Sequence, residues 1–123
     1  MKSFLLIEDD DIFNFIHNQI ILQAIPDAKI TIFKYAQQAL DYLNDIHPNL
    51  PDYIFLDLNM PEMNGFEFLD ILSKTHHIDC QKTTIYLVTS SLDHRDTEHA
   101  NSLDFVKGLI DKPLSIDFIK LLN

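Results

Sequence analysis

Tyr53-Ile54-Phe55-Leu56-Asp57-Leu58-Asn59-Met60-Pro61-Glu62-Met63-Asn64-Gly65 is an apolar run closed by one carboxylate and followed at once by turn-forming residues. A short apolar run bounded in this way reads as a strand covered on both faces, the pattern of a parallel sheet. Pro61 and Gly65 punctuate the loop after it. An acid closing so apolar a strand needs a partner nearby, because an unpaired buried charge is costly.

Working outward, apolar runs alternate with segments of helical period on both sides. This is the arrangement of an α/β fold, a doubly wound parallel sheet of five strands. Ser3 to Ile7 is the first strand, central by its composition. The helix after it runs from about Asp11 to Ala24, capped by Asp10 or Asp11, and stacks Ile12, Ile16 and Ile20 at four-residue spacing toward the core. Phe13, Phe15, Phe66 and Phe68 are expected in or near that core. Lys29 to Tyr35 alternates as an edge strand does, and Ala36, Ala39, Leu40 and Leu43 mark the inner face of a second helix that His47 to Pro51 ends.

Phe66, Leu69 and Leu72 give a third helix its inner face, and Ile85 to Val88 is a fourth strand running into Thr89, Ser90 and Ser91. A fourth helix, about Asp93 to Ser102, is nearly all polar and offers the core little beyond Ala100 and Leu103. Few buried contacts make it a candidate moving part, although a merely solvated helix reads the same way. Phe105 to Ile110 contains the fifth strand. Ser115 caps a last helix with Ile116, Ile119 and Leu122 inward.

The chain's 123 residues, 46% of them hydrophobic, suit one domain over 1–123. Its apolar runs fall far short of the roughly 20 residues of a membrane span. The short run before Glu8 leaves no room for a signal peptide, so a cytoplasmic location is expected. A formal charge of -10 argues against intrinsic nucleic-acid binding. Cys80 is the single cysteine and receives no role. The six histidines, His76-His77 among them, show no metal-ligand spacing.

Ligands of open parallel sheets bind beyond the carboxyl ends of the strands. Those ends hold Glu8 and Asp9, then Asp57, Thr89 and Lys112. Three carboxylates brought together raise one another's pKa unless a cation intervenes, and a hard ion such as Mg²⁺ answers that need. Each residue also has a plainer explanation. Acids favour the start of a helix, Asp57 can pair structurally with Lys112, a threonine often ends a strand, and a lysine before proline often sits in a surface turn. The coincidence at four strand ends favours a site.

Leu5-Leu6-Ile7-Glu8-Asp9-Asp10, Phe55 through Gly65, Leu87-Val88-Thr89-Ser90 and Lys112-Pro113 together resemble the receiver domains of two-component response regulators over essentially the whole chain. That resemblance implies the flavodoxin-like strand order 2-1-3-4-5, with Asp57 as phosphoacceptor. It also implies Mg²⁺ held by Asp9, Asp57 and the Asn59 carbonyl, with Glu8 acting through water. Lys112 and Thr89 would bind phosphoryl oxygens, and the Lys112–Pro113 bond would be cis. Asn59 and Ser91 take the positions that tune phosphoryl lifetime in the family, and Leu109 replaces the usual switch aromatic.

The resemblance further implies a regulator rather than an enzyme, one that catalyses only its own phosphorylation and dephosphorylation. Its phosphodonor would be a sensor histidine kinase or histidine phosphotransfer protein, and its target a downstream protein. A stand-alone regulator, monomeric or weakly dimeric, is expected to present the fourth helix, fifth strand and fifth helix to that target. Three rivals compete. A haloacid-dehalogenase-type phosphatase wants an acid where Asn59 stands, and a flavin-phosphate module would be repelled by Glu8, Asp9 and Asp10. A pseudo-receiver would not need Asp9, Asp57, Thr89 and Lys112 together.

Overall fold

The computed structural model describes residues 1–75, 82–91 and 93–123. The His76-His77 pair and Cys80 lie outside the described residues. Five strands, β1 (Ser3–Ile7), β2 (Lys29–Phe33), β3 (Tyr53–Asp57), β4 (Thr84–Thr89) and β5 (Val106–Asp111), alternate with helices α1 (Asp11–Ala24), α2 (Ala36–Ile46), α3 (Gly65–Thr75), α4 (His94–Asn101) and α5 (Ile116–Leu121). The sheet order is β2-β1-β3-β4-β5, all parallel. Order, edge strand and doubly wound class agree with the sequence expectation.

Side chains of the central strands alternate between two cores. Leu5, Ile7, Ile54, Leu56, Ile85 and Leu87 face Ala39, Leu43, Phe68, Leu72 and Ala100 on one side. Phe4, Leu6, Phe55, Tyr86 and Val88 face Ile21, Leu114 and Ile119 on the other. Helices α2, α3 and α4 therefore cover one face, and α1 and α5 cover the opposite one. Both faces need covering because the strand interiors are apolar throughout.

The rotation of α1 departs from the expectation. Its buried residues are Asn14, His17 and Ile21, whereas Ile12 is 70% exposed, Phe15 is 66% exposed, and Ile16 and Ile20 are half-buried. The inner stripe follows i, i+3, i+7 spacing, but two of its three members are polar. Each is matched by backbone. The Asn14 amide donates to the Glu8 carbonyl at 2.9 Å, and His17 Nε2 accepts from the Leu114 N–H at 3.2 Å. Asp10 sets the helix start by accepting from the N–H groups of Ile12 and Phe13.

Other boundaries hold to within a residue or two. Ser115 caps α5 through the Phe118 N–H, and Asp93 caps α4 through the Arg95 N–H. Tyr35 belongs to the start of α2 rather than to β2. That start is tied instead to the loop after β3, where Glu62 accepts from the Ala36 N–H at 2.5 Å. Ala100 is the buried residue of the short polar α4. A ring stack between His99 and Phe66, with centroids 3.9 Å apart, adds a link from α4 to α3.

Candidate functional site

Parallel pairing aligns the carboxyl ends of β1, β3, β4 and β5 along one edge of the sheet. Asp57 is in register with Val88, and Thr89 with Asp111, the residue before Lys112. Backbone bonds continue past the strand ends and hold the residues just beyond them. The Glu8 N–H donates to the Phe33 carbonyl at 3.0 Å, Leu58 to Val88 at 2.8 Å, and Lys112 to Thr89 at 2.8 Å. The side chains at these ends are therefore held by the sheet itself rather than by free loops.

Glu8, Asp9 and Asp57 offer carboxylate oxygens that all lie within 4.8 Å of one another. Glu8 and Asp57 are buried and Asp9 is half-buried. Lys112 crosses to them: its side chain is 5% exposed, its Nζ lies 3.1 Å from Asp57 Oδ1, and it forms an ion pair with Glu8 Oε1. Asp57 Oδ1 also accepts the Asn59 N–H at 3.2 Å, and Glu8 Oε2 accepts the Asp10 N–H at 3.2 Å.

This packing sets the electrostatics. Burial, reinforced by the adjacent Asp57, pushes the Glu8 carboxyl up to about 8, although the lysine pulls the other way. Burial also works against the Lys112 ammonium, but Glu8 and Asp57 together outweigh it and raise its pKa. One lysine thus faces three acids. The donor set suits a hard divalent ion, since carboxylate oxygens accept only and a second cation would relieve the remaining repulsion.

Thr89 is fully buried at the end of β4. Its hydroxyl donates to the Ser91 carbonyl at 3.2 Å and accepts from the Ser91 N–H at 3.2 Å and the Asn59 amide at 3.4 Å. The exposed Asn59 therefore joins the β3 loop to the β4 loop, while Ser90 and Ser91 are exposed. The Lys112–Pro113 bond is cis, as expected, and His47–Pro48 is a second cis bond. Leu109 pairs with Leu87 and packs half-buried into the core beside α3 and α4. Phe105 lies against that same core, just before β5.

Two residues beside the site were not expected there from the sequence. Phe13 places its ring under the lysine, with Nζ 4.7 Å from the ring centroid, and His17 lies one helical turn further on. A polar residue at inner-face spacing was the available signal for His17. Nothing local tied Phe13 to the lysine.

Comparison with known proteins agrees with the fold. The family described as the response regulator receiver domain matches residues 4–122. A two-component response regulator from Cytophaga hutchinsonii is similar at 33% identity and a TM-score of 0.90, covering 100% of this chain and 92% of that one. A response regulator receiver protein from Dyadobacter fermentans gives 27% identity and a TM-score of 0.87, covering 99% and 94%. An uncharacterized response regulatory protein of Vibrio cholerae is 32% identical over 72 residues, which is 58% of this chain and 29% of that protein's length.

Proposed function

Because the chain belongs to the response regulator receiver domain family, we propose that it is a phosphoacceptor switch in which Asp57 takes a phosphoryl group from a phosphohistidine. The donor is a sensor histidine kinase or a histidine phosphotransfer protein. A carboxylate oxygen of Asp57 forms the new bond to phosphorus as the donor's N–P bond breaks, leaving the imidazole as product. Phosphoryl transfer asks the protein mainly to position groups and to offset charge on the transferring oxygens.

The observation that carries this reading is the convergence of Glu8, Asp9, Asp57 and Lys112 from three strand ends. Asp9, Asp57 and the Asn59 backbone would hold Mg²⁺, with Glu8 behind them. Bound there, Mg²⁺ supplies positive charge to the transferring phosphoryl oxygens. Lys112, buried and already 3.1 Å from Asp57, takes another of those oxygens with little rearrangement.

Thr89 has further to go. Its hydroxyl donates to the Ser91 carbonyl, so binding a phosphoryl oxygen exchanges that bond for a stronger, charge-assisted one. The exchange loosens residues 89–91 ahead of α4, whose weak anchoring lets it shift. Two states with unequal affinity for the phosphoryl group are sufficient for a switch. Leu109 fills the place of a rotating aromatic, so the Thr89–Ser91 exchange itself carries the change. Residues 1–123 act as one receiver unit, and α4, β5 and α5 present the altered surface to a downstream protein.

The test is chemical. Incubation with Mg²⁺ and a small acyl-phosphate donor should add about 80 Da to the wild type and nothing to Asp57→Asn. Absence of the adduct on wild type, or its survival in Asp57→Asn, would sink the proposal. Amide exchange should then change in α4, β5 and α5 upon phosphorylation.

A further inference from the structure

Lys112 can serve the phosphoryl group only if the backbone around it is held in place; β5 ends one residue before it, and its own N–H is already bound to the Thr89 carbonyl at 2.8 Å. Pro113 has no N–H to anchor the segment. The next available donor is the N–H of Leu114, a buried residue, and it is taken by a side chain: His17 Nε2 at 3.2 Å, from the middle of α1. An accepting Nε2 requires the neutral ring with its proton on Nδ1. Burial, with the nearby Lys112 charge, lowers His17 to about 4, so the ring is neutral at physiological pH.

The same helix holds the other end of the lysine. Phe13, one turn before His17, packs against the imidazole with centroids 5.7 Å apart and the rings tilted by 35°. It also lies under the ammonium at 4.7 Å, within the reach of a cation–π contact. The segment just after Lys112 and the lysine's head group are thus held by residues i and i+4 of one helix. His17 belongs to the unexpected inner face of α1, and the half-buried Phe13 lies beside it.

We infer that Phe13 and His17 form a bracket that positions Lys112 for phosphoryl transfer, His17 through the Leu114 N–H and Phe13 through the ammonium. The inference rests on the phosphoacceptor reading and deepens it. Both are positioning residues and act through the lysine. The bracket also couples α1 to the site: a partner that shifts α1 would move the lysine with it.

The experiment measures the rate of Asp57 phosphorylation by a small acyl phosphate at saturating Mg²⁺, together with amide exchange at Leu114. His17→Leu keeps bulk but removes the acceptor. It should slow phosphorylation on the order of tenfold, since sub-ångström misplacement of such a group is costly, and should speed Leu114 exchange. His17→Gln restores an acceptor and should recover most of the rate and the protection. Phe13→Leu, at a half-buried position that should tolerate it, should slow phosphorylation several-fold and leave Leu114 protected.

In a Lys112→Ala background, neither His17→Leu nor Phe13→Leu should slow the reaction further, because the group they position is gone. A wild-type rate in His17→Leu, equal loss in His17→Leu and His17→Gln, or full additivity with Lys112→Ala would overturn the inference. Failure of the wild type to accept a phosphoryl group is a different result, which removes the phosphoacceptor reading itself. Leu114 exchange still reports on the bracket in that case.

Discussion

The ammonium of Lys112 lies 3.1 Å from Asp57 Oδ1 while also pairing with Glu8, so one buried cation balances two buried acids that arrive on different strands. Removing one partner of such a group leaves uncompensated buried charge, which is costlier than the intact pairing is stabilising. Lys112→Met should therefore lower the unfolding free energy by about 3 kcal/mol in metal-free buffer. Mg²⁺ should return more stability to the variant than it adds to the wild type. Urea unfolding of both proteins with and without Mg²⁺ measures this, and an equal gain in the two would contradict it.

The carboxylate cluster leads to a prediction with a crossover. Without a divalent ion, Glu8, Asp9 and Asp57 repel one another within 4.8 Å. Asp9→Asn should therefore be more stable than wild type in chelator. With Mg²⁺ the order should reverse, since the wild type gains about 2.7 kcal/mol at a free ion concentration of about 100 times Kd and the variant loses a ligand. Melting curves in chelator and in Mg²⁺ should cross in rank; an unchanged rank order would count against the metal site.

The two glycines should behave oppositely. A Cβ on Gly65 would lie 2.8 Å from Leu87 Cδ2 and 3.1 Å from both the Asp57 carbonyl oxygen and Leu58 Cα. Leu87 is fully buried and the other two atoms are backbone, so none can easily yield. Gly65→Ala should cost about 1–3 kcal/mol, typical of overpacking, with the strain falling on the strand end that carries Asp57. Gly108, on β5 opposite Tyr86, has open space where a Cβ would be. Gly108→Ala should be neutral or stabilise by about 0.5 kcal/mol, through reduced freedom of the unfolded chain. Denaturation midpoints of the pair decide it.

How much of the fold and site was legible in the sequence depended on where the partner of each residue lies. The runs Phe4 to Ile7, Ile54 to Leu56 and Ile85 to Val88 announce central parallel strands because burial on both faces leaves little room for polar residues. Asp57 and Thr89 were readable as strand-end residues for the same reason, since each closes an apolar run, and Lys112 was readable as the residue just past the end of the fifth strand. The phase of α1 was not readable. Ile12, Ile16 and Ile20 form the more apolar stripe, and only the Glu8 carbonyl and the Leu114 N–H make Asn14 and His17 the inner residues. Both partners are backbone groups, one of them 97 residues away, and residue type says nothing of a backbone group's availability. The seat of Lys112 on Phe13 was hidden likewise, since it depends on how α1 meets the end of β5.

The buried His17 makes stability depend on pH. His17 titrates at about 4 in the folded protein against about 6.5 in a free chain. Between those values the unfolded chain binds a proton that the folded one excludes, so stability rises with pH across the window. The contribution of the neutral ring is fully present above about pH 6.5 and is lost on acidification toward 4, by about 3 kcal/mol in total. Glu8 has the opposite sense: raised to about 8, it favours the folded state below 4.5 and loses that contribution as pH climbs through 8. A pH series on wild type alone would mix the two. His17→Gln separates them, because Glu8 titrates in both proteins and cancels in the difference. From pH 7 to pH 4.5 the wild type should lose stability relative to His17→Gln, by most of that 3 kcal/mol. Urea unfolding at each pH measures the difference, and two parallel curves would mean that His17 is not held neutral by the fold.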